Sequence, residues 1–125
     1  MTLSQARELE SLAKHCGRIL SVFHNRRWDS DFLTVSALIN EGQLGEVCYF
    51  ESHFDRFRPQ VRQRWREQAG PGSGIWYDLA PHLLDQVVVL FGLPVSITVD
   101  LAQLRPGAQS TDYFSRRAGP IRSGG

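Results

Sequence analysis

Gly72-Ser73-Gly74-Ile75-Trp76-Tyr77-Asp78-Leu79-Ala80-Pro81-His82-Leu83-Leu84-Asp85 is the stretch whose reading decides the fold. It runs from a glycine-rich turn into an apolar segment that lasts to Phe91, where Gly92-Leu93-Pro94 breaks it. That punctuation predicts a helix from about Leu79 to Phe91. Asp78, His82 and Asp85 follow one another at steps of four and three residues. Such steps bring side chains to neighbouring positions of one helix face. An imidazole there can take or give a proton while a carboxylate fixes its tautomer. Pro81 suits the first helical turn, where its missing N–H costs nothing. The same residues also read as a plain helix start, with Asp78 as N-cap and His82 packed nearby.

Working outward, Thr2 or Ser4 can cap a first helix whose Leu3, Ala6, Leu9, Leu12 and Ala13 form an apolar stripe, with Gly17 as its stop. Arg18 to Phe23 is nearly continuous in apolar character and reads as a short strand of the kind covered on both faces. A second helix is expected over Ser30 to Asn40, then a turn punctuated by Gly42 and Gly45. Glu46 to Phe57 alternates with a period of two, which predicts a long antiparallel strand. Arg58 to Gly74 is polar and arginine-rich and reads as a loop. A further strand is expected over Val95 to Leu104, and Asp112 to Ser115 starts another after the Pro106-Gly107 turn. From Arg116 to Gly125 neither period nor core residues remain, and disorder is expected. The fold class is therefore α+β: a mixed or antiparallel open sheet packed by about three helices.

The chain has 125 residues, enough for one modest core. Its formal charge of +1 gives no global electrostatic case for nucleic acid. Cys16 and Cys48 follow no secretory segment and have no paired spacing, so they read as reduced thiols of a cytoplasmic protein. No apolar run reaches the length of a membrane span.

The stretch from Gly72 to Asp85 resembles the signature segment of the Gfo/Idh/MocA oxidoreductases, the glucose–fructose oxidoreductase and inositol dehydrogenase relatives. Two further stretches agree in order and spacing. Arg18 to Asp29, with Asn25-Arg26-Arg27-Trp28 at its end, is similar to the family's last nucleotide-domain strand. Gly42-Gln43-Leu44-Gly45-Glu46-Val47 is similar to the turn that opens its second domain. The similarity runs from about Thr2 to about Phe114. It implies residues 1–28 as the end of a Rossmann domain and 29–115 as a shortened substrate and oligomerisation domain; 116–125 depart from the family, which continues with further strands there, and read as a disordered tail.

The resemblance also implies an NAD or NADP cofactor and a sugar or polyol substrate. His82 would be the acid/base, and Asp78 would orient its imidazole or bind a substrate hydroxyl. Arg27, Asn25, Trp76 and Asp85 would lie at the substrate. Yet the G-x-G-x-x-G turn that cradles a dinucleotide pyrophosphate is not found in these residues, so no cofactor-binding residue is expected in this chain, and no activity from it alone. The family's Glu-Lys-Pro motif would fall upstream of Thr2.

The residues also carry other readings. Asp78, His82 and Asp85 with His24 or His53 could donate to a metal, but the spacing lacks a zinc pattern and none is expected. Arg56, Arg58, Arg62, Arg64 and Arg66, interleaved with Phe57 and Trp65, could follow phosphates; nucleic acid is not expected, and a solvated loop balanced by Asp55 and Glu67 is the plainer reading. Arg27 alternatively forms an ion pair with Asp29 or Asp31. A non-catalytic oligomeric module is the competing function. In either case the uncovered strand Ile19 to Phe23 predicts a homodimer or higher assembly, with or without exchange of the N-terminal elements.

Overall fold

Thr2 starts helix α1 (Leu3–His15) with a reciprocal capping box: its hydroxyl accepts the Gln5 N–H at 3.3 Å, and Gln5 Oε1 accepts the Thr2 N–H at 2.8 Å. Gly17 ends the helix at φ +59°. The Arg18 N–H closes on Ala13 O at 2.8 Å and the Gly17 N–H on Lys14 O at 3.2 Å, the pair of bonds a left-handed residue makes possible. The expected apolar stripe is present, yet α1 has no buried residue. The structure is a computed structural model and describes residues 2–119.

The strand expected over Arg18 to Phe23 does not form. The segment is bare, with Ile19 99% and Phe23 73% exposed. A strand is made by its ladder, and no described residue pairs with this one. A 3-10 turn (Asn25–Trp28) follows, then helix α2 (Ser30–Asn40), which has the expected bounds. Gly42 closes α2 as Gly17 closes α1, with Gln43 N–H on Leu38 O at 3.0 Å. Phe32 carries α2's burial.

The long strand expected over Glu46 to Phe57 is also unpaired. Its alternation is nonetheless real: Phe50, Ser52 and Phe54 are half-buried while Tyr49, Glu51, His53 and Asp55 are exposed. Phe50 meets the Phe91 ring edge-on at 5.3 Å. The period of two thus determined which face turns inward, but supplied no neighbour to complete a ladder.

Helix α3 (Ile75–Phe91) begins four residues before the expected start. Gly74 is its N-cap at φ +89°, and the Ile75 N–H donates to Thr111 O at 2.7 Å. A Cβ at Gly74 would lie 3.0 Å from that same oxygen, so glycine is required twice over. Two expectations fall with the earlier start. Pro81 is the seventh helical residue, not part of the first turn, and leaves Tyr77 O without its intrahelical donor. Asp78 lies inside the first turn and is not the N-cap.

Leu79, Ala80 and Leu83 of α3 join Phe32 as the buried apolar residues. Strands β1 (Ile97–Ala102) and β2 (Tyr113–Ala118) form one antiparallel pair, in register from Ile97 opposite Ala118 to Ala102 opposite Tyr113. β1 lies within the stretch expected for it. β2 runs past Ser115, so Arg116 to Ala118 are ordered in the ladder, contrary to the expected disorder. The reason is long-range: Arg116 faces Val99, Arg117 faces Thr98, and Arg116 Nη1 reaches Ala80 O at 3.4 Å. The rest of the expected tail, from residue 120 on, lies outside the described residues. The class is α+β as expected, with a sheet reduced to two strands.

Candidate active site

The 3-10 turn and α3 meet through one side-chain clamp. Arg27 donates Nε to Asp85 Oδ2 and Nη2 to Asp85 Oδ1, both at 2.7 Å. Such two-pronged pairing fixes orientation as well as distance. One residue along each element, Gln86 Nε2 donates to Arg26 O at 3.2 Å. Gln86 is itself buried. The turn is therefore fastened to the third turn of α3 by bonds spanning about sixty residues of chain.

This docking carries His24 to His82. The rings meet edge-on, 6.4 Å between centroids, and His24 Nε2 lies 3.9 Å from Asp85 Oδ1. His82 Nδ1 is buried and has no hydrogen-bond partner. The Arg27 bonds hold the Asp85 carboxyl below its ordinary pKa, against a smaller opposing push from burial, and the His24 and His82 imidazoles lower it further. Two imidazoles, one carboxylate and one guanidinium thus share a corner, an arrangement able to hold a hydroxyl compound and move a proton.

The other site residues fall as follows. Asp78 does not bond to His82; its Oδ1 accepts Arg66 Nη1 at 2.7 Å, so its carboxylate faces the arginine loop. Arg27 is indeed in an ion pair, but with Asp85; it is Arg26 that meets Asp29, at 2.8 Å. Asn25 is exposed at the start of the 3-10 turn. Trp76 packs edge-on against Phe114 of β2, centroids 5.5 Å apart. Nine residues are about two and a half turns, so Trp76 stands across the helix from Asp85. The structure brings together His82, Asp85 and Arg27, with Asn25 at the rim, and sets Asp78 and Trp76 apart from them.

Sequence reading missed two features. His24 entered only as a possible metal donor, though it directly precedes the Asn25-Arg26-Arg27 motif and must travel with it. Glu67 reads from the sequence as a partial counter-charge in a solvated loop. It is buried instead, accepting the Arg62 N–H at 2.9 Å, Arg64 Nε at 2.8 Å and pairing with Arg105 Nη1 at 3.2 Å. Among the described residues no three His, Cys, Asp or Glu side chains gather to hold a metal ion.

The clamp has a pH signature. A carboxyl whose folded pKa lies below its unfolded one lends stability above the unfolded value and loses it as pH falls through the folded value. Asp85→Asn is therefore expected to lower the thermal midpoint by a constant margin at about pH 6–8, the two proteins converging below about pH 4. Thermal unfolding followed by circular dichroism across that range checks it. A margin that persists to low pH means the carboxylate charge is not the source.

The GFO/IDH/MocA C-terminal domain model matches residues 32–116. The chain is 83% identical over 114 residues to the uncharacterized oxidoreductase YdgJ of Escherichia coli, covering 91% of this chain and 33% of that protein. It is 42% identical over 113 residues to the scyllo-inositol 2-dehydrogenase (NADP(+)) IolW of Bacillus subtilis, covering 90% and 32%. A solved structure from Yersinia pestis superposes with TM-score 0.85 at 64% identity, covering 95% of this chain and 33% of that one. An oxidoreductase from Bacillus cereus does so with TM-score 0.79 at 31% identity, covering 96% and 34%. The chain spans about a third of the length of the curated relatives it matches.

Proposed function

Because this chain belongs to the GFO/IDH/MocA family through its C-terminal domain, we propose that it carries the substrate side of an NAD- or NADP-dependent oxidoreductase site for a sugar, polyol or related hydroxy compound. The observation that carries the reading is His82, held on α3 beside Asp85 and His24 with a buried, unpartnered Nδ1. Structural histidines seldom leave a buried ring nitrogen unpaired, since the lost hydrogen bond is costly. A hydroxyl compound seated against α3 gives the ring a proton to exchange. His82 takes that proton as the alcohol is oxidised, and returns it in the reverse direction. Arg27 and Asp85 position the corner; neither moves a proton.

A nicotinamide, when bound, supplies the hydride acceptor. The residues of this chain do not fit its pyrophosphate. The dense glycines from Gly70 to Gly74 lead into α3, but the Gly74 N–H is already given to Arg66 O and the Ile75 N–H to Thr111 O, both at 2.7 Å. Thr111 also fills the space beside Gly74. At this turn no open nest of amides is left for phosphate. In this reading residues 1–28 belong to the cofactor half, 29–115 to the substrate domain, and the chain does not turn over by itself. Its two free, exposed thiols support a cytoplasmic setting.

Calorimetric titration with NAD(H) and NADP(H) is the test. No heat of micromolar binding is expected from this chain. Micromolar affinity for either would show that it holds the cofactor by residues other than these, and would overturn the division into halves. The competing reading, a non-catalytic oligomeric module, is favoured by the uncovered apolar face of α1 and the bare segment after it.

A further inference from the structure

Beside the His82 corner, and outside it, lies a groove of about 820 Å³ between residues 52–59, the start of α3 and the start of β2. That is room for a sugar-sized molecule. Five arginines line it. Three are already matched: Arg64 to Glu67 at 2.8 Å, Arg66 to Asp78 at 2.7 Å, and Arg105 to Asp112 at 2.9 Å and Glu67 at 3.2 Å. Arg56 and Arg58 have no acidic partner among the described residues.

One matched arginine holds the backbone at Arg58 in place. Arg105 Nη1 donates to Arg58 O at 3.3 Å and to Gln60 O at 3.2 Å, so the backbone carrying Arg58 is tied to the β1–β2 connection. Glu67, buried beneath, ties down Arg62 and Arg64. Burial first, and then the like charges of Arg62, Arg56 and Arg64, push the Arg58 guanidinium below the ordinary arginine range, with Glu67 the opposing influence. A concave wall with crowded, uncompensated guanidinium groups lacks one thing, a counter-anion.

We propose that Arg56 and Arg58 form an anion seat in this groove, one that takes a single phosphate or carboxylate group. A nucleic-acid strand fits less well, because the other three arginines of the groove are already matched by Glu67, Asp78 and Asp112 and are not free to take successive phosphates. The seat stands on these residues alone and is independent of His82's role.

The test uses the whole chain and the arginine Nε–Hε signals in a ¹H–¹⁵N correlation spectrum, titrated with inorganic phosphate against chloride at constant ionic strength. A saturable shift of the Arg56 and Arg58 signals is expected, with a midpoint of roughly millimolar for a two-pronged surface contact. Arg58→Ala and Arg56→Ala are each expected to weaken it about tenfold or more, and Arg7→Ala, on α1, to leave it unchanged. Arg58→Lys keeps the charge without the fork and should fall between. Glucose 6-phosphate binding tighter than inorganic phosphate, with glucose silent, assigns the seat to a substituent of a larger ligand; equal affinity assigns it to free phosphate. A linear drift alike for phosphate and chloride overturns the seat, as does binding indifferent to Arg56 and Arg58. A single-stranded oligonucleotide binding at least a hundredfold tighter than phosphate, with steep salt dependence, also overturns it in favour of nucleic acid.

Discussion

In an active full-length counterpart of this chain, His82→Ala is expected to lower kcat by roughly 10²–10⁴-fold, the range for a lost general acid/base. The loss should fall on kcat and on kcat/KM together, because the proton is shared most fully in the transition state. Asp78→Asn should cost less. Its carboxylate accepts Arg66 at 2.7 Å, so the substitution loosens the arginine loop and reaches His82 only indirectly. Asp85→Asn should lie between the two: it frees Arg27, and with it the turn that brings His24 to the imidazole. Steady-state kinetics on the three variants gives this order. An unchanged kcat in His82→Ala would remove the acid/base assignment, and a larger loss in Asp78→Asn than in His82→Ala would move the proton chemistry to Asp78.

The second large effect is on assembly. The chain exposes 9847 Å². A compact monomer of 14.2 kDa exposes about 6,800 Å² by the usual mass scaling, so roughly 3,000 Å² is in excess. Part of it is apolar surface near the N-terminus: Leu3 and Leu12 on α1, then Ile19, Val22 and Phe23 on the bare segment. An extended run with unpaired donors and acceptors recruits another strand, and the most available one belongs to a second copy. A homodimer is therefore expected, with α1 and the following segment exchanged between copies. Gly17 is the natural hinge; the Asn25–Trp28 turn is not, since Arg27 and Gln86 lock it to α3. Size exclusion with light scattering at several concentrations should show a dimer, weakened at least about tenfold by Ile19→Glu with Val22→Glu, which place charge in the interface core. A stable monomer of the parent chain across the micromolar range would overturn the expectation.

Helices α1 and α2 could be read from the chain because everything that bounds them lies within a few residues of their ends. The Thr2 box reaches three residues, the Gly17 and Gly42 closures five, and the apolar periods repeat within each helix. The motif at Gly72 to Asp85 was equally legible as a family signature, and it gave His82. Long-range pairing was not legible. Alternation over Glu46 to Phe57 states which side chains turn inward, but a ladder needs a neighbour that no local pattern names. The start of α3 was missed because Thr111, 36 residues on from Ile75, accepts the first free N–H of the helix. β2 was judged too short because its last residues are ordered by β1 and by Ala80 O.

The candidate site divides the same way. Local sequence determined that Asp78, His82 and Asp85 share a helix face, since helical geometry alone dictates it. Only the tertiary structure decided which acid serves which base. Arg27, 58 residues away, claims Asp85, Arg66 claims Asp78, and His24 arrives at His82 as a consequence of the first. A charged side chain has several suitors within reach of any plausible fold. Which pair forms depends on where whole elements dock, a matter of long-range packing and not of any residue's own character.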